Sequence, residues 1–176
     1  MSDSESSGVS QPARSRARAI PRGFLWQHPA HFYALGFGTG LVPWAPGTFG
    51  TLVAFPIAFT LWRHANPTVF VAAIVALGLL GGWAAGIAGR ALGVADHGAI
   101  VCDEIVAMLI VLFVTGPSAS GMIAGFVLFR IFDILKPPPI AQLDRRWKNG
   151  WGVMADDIVA AGYVVLVLAI WQSVTR

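Results

Sequence analysis

Cysteine and charge are both scarce in this 176-residue chain. The single thiol, Cys102, excludes an intramolecular disulfide framework and reads as a packed side chain. Charged residues make up only 12% of the sequence, against about a quarter in an ordinary soluble domain. The sequence has no GK[ST] phosphate loop, which excludes a Walker-type nucleotide hydrolase. It has no GxSxG, the local signature of a nucleophile elbow. Its histidines, among them His31, His64 and His97, are scattered without zinc-ligand spacing. It shows no internal repeat of the kind that builds many small transporters, and no apolar segment with a small-residue cleavage site follows the N-terminal tail.

Apolar residues fill the space left by charge: 56% of the chain is hydrophobic and the mean hydropathy is +0.67. Together these predict an all-α integral membrane protein, a helical bundle of about four to five apolar helices, some of them short or re-entrant. The isoelectric point near 9.6 raises the question of nucleic acid. The basic residues sit beside apolar runs, however, which fits membrane orientation better, and no nucleic-acid partner is expected.

Residues 1–22 are rich in Ser, Arg and Pro and read as a disordered basic tail, leaving 23–176 as one membrane-embedded domain. Residues 23–47 mix Trp26, Phe32, Tyr33, Phe37 and Trp44 with Gly and Pro, which suits an interfacial or re-entrant segment. Five apolar stretches follow, at roughly 48–63, 68–92, 104–114, 119–135 and 157–173. Gly78, Gly82 and Gly86 recur every four residues in the second, a spacing that lets another helix approach closely; Gly121 and Gly125 suggest the same for the fourth. The third is too short to cross a hydrocarbon core of about 30 Å alone, so the third and fourth form a tilted or re-entrant hairpin.

The hairpin returns to the side it left, and this fixes a count of charge by side. The tail, the 90–104 loop and the 130–157 segment share one side and hold ten of the twelve basic residues, leaving Arg63 and Arg176 on the other. The basic-rich side is expected to be cytoplasmic. All nine acidic residues fall on that same side.

Three charged groups therefore interrupt apolar runs at one membrane face: Asp103-Glu104, Asp133 with Lys136, and Asp156-Asp157. Acids at helix starts have an ordinary explanation in capping and the helix dipole. Two carboxylate pairs facing one pocket repel each other and call for a cation, and an all-oxygen set suits Mg²⁺ or Mn²⁺. Asp103, Glu104, Asp156 and Asp157 are the candidate metal ligands. Asp133 lies near the end of its helix, where the dipole disfavours an anion. Arg130 and Lys136 stand three residues to either side, so a local ion-pair ladder competes with a phosphate-site role. The uncharged loop GFGTGLVPWAPGTFGTL, residues 36–52, runs into a helix N-terminus. Its amides and the hydroxyls of Thr39, Thr48 and Thr51 are candidates for binding phosphate oxygens, a weak signal for which a turn before a helix is the plainer reading.

Four motifs in order resemble the phosphatidylglycerophosphatase A family. GFGTGLVPWAPGTFGTL is similar to its GfGsGlxPxxPGTxGSL, and ADHGAIVCDEIV to DHGxIVxDExxG. GFVLFRIFDILKPPPI is similar to GFxxFRxxDxxKPxPI, and WGVMADDIVAAG to the end of GGxGxMxDDxxAG. The resemblance runs from about His31 to Gly162. Asn149 stands for the first glycine of the last motif, Ala107 for a glycine after DExx, and Ala161 precedes the final glycine; these touch packing rather than the acids.

The resemblance implies a Mg²⁺-dependent lipid phosphatase of the bacterial inner membrane, multi-pass, with its site facing the cytoplasm. Its substrate would be phosphatidylglycerophosphate and its product phosphatidylglycerol, a step of phospholipid biosynthesis. By matched position Asp103, Glu104, Asp133, Lys136, Asp156 and Asp157 would be the catalytic charges; from the reading of the residues themselves, Thr39, Thr48, Arg130 and Lys136 are the candidates for binding the substrate. Two rivals remain: a CDP-alcohol phosphotransferase, whose DGxxAR…GxxxDxxxD array is absent, and a small transporter, which would place its acids near the midplane.

Overall fold

The computed structural model describes residues 20–138, 140, 147 and 149–174. The expected basic tail lies outside them up to residue 19, as do Arg145, Arg146 and Lys148. The described residues are helical, with no strand among them. Two short helices, α1 (Phe24–Gln27) and α2 (Pro29–Ala34), lead through a 3₁₀ segment (Gly36–Leu41) into α3 (Pro46–His64), α4 (Pro67–Leu92), α5 (Cys102–Thr115), α6 (Ala119–Leu135) and α7 (Gly150–Val174). The irregular opening expected for 23–47 is thus a broken, turning segment.

The helix ends follow local chemistry. Pro29, Pro46 and Pro67 open their helices, where the missing N–H costs nothing. Asn66 Oδ1 accepts from Val69 N at 2.9 Å and caps α4. Gly93 at φ 73° closes α4, and Lys136, left-handed at φ 41° and ψ 60°, closes α6 just before Pro137.

Helices α4, of 26 residues, and α7, of 25, are long and apolar enough to cross a bilayer. Their outer faces are apolar and exposed, with Val75, Leu79 and Trp83 on α4 and Leu166, Ile170 and Trp171 on α7. Helix α5, of 14 residues, is the opposite case: it is buried on nearly every side, from Cys102 and Asp103 through Leu112. It packs against α3, α4, α6 and α7, and a helix apolar all round belongs at such a centre. Helices α3 and α6 flank it and meet through side chains, Thr51 to Arg130 and Phe55 to Phe126.

Small residues permit the tightest crossing. A Cβ on Gly150 would collide with the backbone of Gly82 and Gly86, so α7 starts backbone-to-backbone on α4. Two of the three glycines in the α4 repeat do the work expected of them; Gly78 meets only Val106, at a relaxed 3.6 Å. Gly125 likewise lets α6 approach Val111 of α5. Gly121 instead packs within its own turn, against Thr115 and Ser118.

Candidate active site

Helix α5 brings the first two carboxylates. Val101 N donates to Ala34 O at 2.9 Å, tying the start of α5 to α2. The glycine-rich loop wraps the same stretch. A Cβ on Gly36 or Gly50 would press on Val101 at 2.6 Å, and one on Gly40 would strike Ala99 O. Gly36, Gly40 and Gly50 are therefore clearance for the 99–101 segment that leads to Asp103 and Glu104. His97 belongs to this support: it is buried and its Nδ1 accepts from Ala99 N at 3.2 Å. Asp103 and Glu104 stand in the first turn of α5, after an N-cap residue, Val101, whose own side chain makes no cap.

Helix α7 brings the third. It starts at Gly150, seven residues before the apolar stretch expected at 157, so Asp156 and Asp157 lie well inside it rather than at its N-terminus. Asn149 is what starts the helix: its Oδ1 accepts from Trp151 N at 3.0 Å and Gly152 N at 2.9 Å. The residue that departs from the family motif thus has a capping role.

One ligand oxygen from each of Asp103, Glu104 and Asp157 lies within 4.8 Å of the others. Asp103 Oδ1, Glu104 Oε2 and Asp157 Oδ2 are buried with no hydrogen-bond partner. Burying such oxygens together is costly without a cation. Oxygens on one octahedral Mg²⁺ are spaced by about 3–4 Å, given ligand distances of about 2.0–2.1 Å. The donor set, its burial and its near spacing fit a divalent metal. Asp156, expected among the ligands, faces elsewhere: its Oδ2 pairs with Lys136 Nζ at 2.6 Å. Neighbouring residues on a helix point about 100° apart, which separates the two aspartates.

Helix α6 brings the cations. Arg130 Nη1 contacts Asp133 Oδ2 at 2.7 Å, one helical turn on. The same nitrogen reaches Thr51 Oγ1 of α3 at 3.5 Å, and that hydroxyl donates to Gly47 O at 2.7 Å. Half of the expected ladder forms, since Lys136 crosses to α7 rather than turning back to Asp133. Asp133 also neighbours the cluster, where its charge acts on both Glu104 and Asp157. Tyr163 of α7 donates to Pro138 O at 2.9 Å and stacks on Phe132, which holds the turn after Lys136.

Gly47 closes the site from α3. A Cβ there would collide with Glu104 Oε1 and lie 3.2 Å from both terminal nitrogens of Arg130. Thr51 and Gly47 were legible only as members of a glycine-rich loop; their i, i+4 spacing on one helix face is the signal that pairs them. Thr39 is occupied locally, donating to Gly36 O at 2.8 Å, and Thr48 is half-buried in the first turn of α3.

Four helices thus supply the site: the starts of α3 and α5, the close of α6, and Asp156 and Asp157 from inside α7. Fold and site together define a helical-bundle protein with a buried polycarboxylate centre bordered by Arg130, with Lys136 held on Asp156 next along α7, an arrangement suited to a divalent cation and a phosphate group. The profile of the phosphatidylglycerophosphatase A family matches residues 32–172, and the chain belongs to that family. It is 42% identical over 143 residues to phosphatidylglycerophosphatase A of Haemophilus influenzae, covering 80% of this chain and 87% of the relative. It is 41% identical over 135 residues to phosphatidylglycerophosphatase A of Escherichia coli, covering 76% and 77%. A Bacteroides thetaiotaomicron protein, described as a candidate phosphatidylinositol-3-phosphatase, is 37% identical over 142 residues, covering 77% and 88%. No solved structure matches.

Proposed function

We propose that this protein hydrolyses the terminal phosphomonoester of phosphatidylglycerophosphate, giving phosphatidylglycerol and inorganic phosphate, with Mg²⁺ as cofactor, at the cytoplasmic face of the bacterial inner membrane. The observation that carries the reading is the meeting of Asp103, Glu104 and Asp157 from two helices far apart in sequence, with Arg130 beside Glu104 at Gly47, in a chain of this family.

Each residue type then has a task. Asp103, Glu104 and Asp157 would hold the metal. When bound, Mg²⁺ polarises the phosphoryl group and makes water a better nucleophile. Lys136 and Arg130 neutralise the phosphate oxygens as charge shifts during transfer. Both are held in place beforehand, by Asp156 and by Asp133 with Thr51, so little reorganisation accompanies the reaction. An aspartate of the site takes the proton from the attacking water. The phosphorus–oxygen ester bond breaks as the new bond to water oxygen forms, and a proton returns to the lipid hydroxyl.

The site lies at the end of the bundle that the charge asymmetry assigns to the cytoplasm. There a lipid phosphate reaches polar groups while its chains stay in the bilayer. Labelling of Ser4→Cys and Asn149→Cys checks the orientation; native Cys102 is fully buried and gives little background. Both sites are expected to label from the cytoplasm, and periplasmic labelling of either would reverse the assignment.

The activity is tested by phosphate release from phosphatidylglycerophosphate in detergent, with Mg²⁺ or with chelator. The name of the Bacteroides relative makes phosphatidylinositol 3-phosphate the competing substrate in that assay. Release from phosphatidylglycerophosphate, preferred over the inositol lipid, is expected. Release from the inositol lipid alone would transfer the reading to that substrate, and release from neither would overturn it.

A further inference from the structure

The phosphate end of a lipid substrate has a place in this site, and α6 indicates where its hydrocarbon goes. Ile123, Val127, Ile131 and Ile134 repeat at helical spacing and are 66%, 48%, 43% and 70% exposed. The last three border a groove of about 380 Å³ lined by Phe126, Val127, Arg130, Ile131, Ile134 and Leu135. Arg130 is the only polar residue among the six. Its guanidinium turns inward to Asp133 and Thr51, so its aliphatic stem is what an apolar ligand meets. One residue therefore belongs both to the groove wall and to the polar site. On the α3 side the same order is repeated, from polar to apolar: Gly47 and Thr51 beside Arg130, then Phe55 beside Phe126 at a ring separation of 6.1 Å.

A second apolar groove, of about 420 Å³, lies between α4 and α7 and includes Val75, Val106, Trp151 and Ile158. None of the site's charged residues lines it. Continuity with the polar centre separates the two.

Resting on the phosphatase reading, we infer that one acyl chain of the substrate lipid lies along the outer face of α6, entering from the bilayer between α3 and α6, with Arg130 at the junction of chain and phosphate. The groove supplies no hydrogen-bonding group beyond Arg130, so it selects for hydrocarbon next to a phosphate rather than for any particular headgroup.

The test compares Val127→Trp and Ile131→Trp, which fill the α6 groove, with Val75→Trp and Ile158→Trp, which fill the other. Each is assayed on long-chain phosphatidylglycerophosphate and on its water-soluble short-chain analogue. Absence of release from both lipids by the wild type would refute the phosphatase reading itself, an outcome distinct from any difference between variants. The inference expects the α6 variants to lose about tenfold or more in kcat/KM on the long-chain lipid, the loss of roughly two methylenes' worth of contact. Their short-chain rates are expected to stay near wild type, and the α4–α7 variants to keep both. An equal effect on both substrates, or a selective loss confined to the α4–α7 variants, would overturn it. A substrate lipid carrying a diazirine in one acyl chain gives a readout on wild-type protein that does not depend on variant folding. Adducts within 123–135 support the groove, and adducts confined to α4 or α7 refute it.

Discussion

Gly47→Ala isolates the geometry of the site from the stability of the fold. The added Cβ would collide with Glu104 Oε1 and stand 3.2 Å from both terminal nitrogens of Arg130. All three atoms are the far ends of flexible side chains, so they retreat and the backbone stays. In the first turn of α3, alanine replaces a glycine whose helix propensity is lower by at most about 1 kcal/mol, so global stability holds or rises slightly. The site fares differently. Glu104 Oε1 must withdraw by about an ångström, and misplacement on that scale can cost about 10²-fold in rate. The expected result is a well-folded protein whose phosphate release falls by roughly two orders of magnitude, with thermal unfolding within a few degrees of wild type. Turnover and unfolding in the same detergent check both halves. Near-normal turnover would mean that Glu104 and Arg130 need not occupy these positions, and would remove Gly47 from the account. A collapse of stability would show that the contact is structural.

Other expectations rest on single contacts. Lys136→Met should lower turnover by about 10²–10³-fold through loss of a phosphate-neutralising charge. It also removes the contact between Lys136 and Asp156, so Lys136→Met with Asp156→Asn should not restore turnover; recovery of turnover in the double variant would make the pair purely structural. Asp133→Asn should fold and lose turnover by orders of magnitude, whereas near-normal turnover would return Asp133 to a local ion-pair role. Gly150→Ala should destabilise by about 1–3 kcal/mol, because its Cβ meets the backbone of Gly82 and Gly86. Gly162→Ala, with open space around the added methyl, should not, and an equal Tm shift for the two would refute the close crossing of α4 and α7.

Much of the bundle was legible because its signals are local. Runs of apolar residues at 48–63, 68–92, 104–114 and 119–135 gave α3 to α6 nearly as they stand, and in the structure Pro46 and Pro67 open two of them while Gly93 and Gly116 follow two. The start of α7 was not legible in the same way. Gly150 and Gly152 look like a loop in sequence, yet their bare backbones are needed where a Cβ would strike Gly82, Gly86 and Trp147. The Asn149 cap was the available sign that a helix begins there.

The site divides along similar lines. The acids at 103, 104 and 157 were recognisable because charge in an apolar run is costly and needs a reason. Which of two adjacent aspartates faces the cluster depends on how α7 is rotated against α5 and α6. That is a tertiary property, and it sends Asp156 to Lys136 and Asp157 to Glu104. The glycine-rich loop carried an ambiguous signal: its bare backbone suits a phosphate and suits a close neighbour equally well. Here Gly40 and Gly50 face the backbone of Ala99 and Val101, Gly36 faces the Val101 side chain, and of the loop's glycines only Gly47 borders the charged groups.

The central claim is that Asp103, Glu104 and Asp157 hold a divalent cation required for phosphate release. Its most direct test is turnover of phosphatidylglycerophosphate by purified wild type and Asp157→Asn, as Mg²⁺ is titrated into metal-stripped protein of verified fold. The account predicts no release without metal, saturable release in wild type, and turnover lower by orders of magnitude in Asp157→Asn at every Mg²⁺ concentration. Metal-independent release, or an Asp157→Asn titration that overlays wild type, would contradict it.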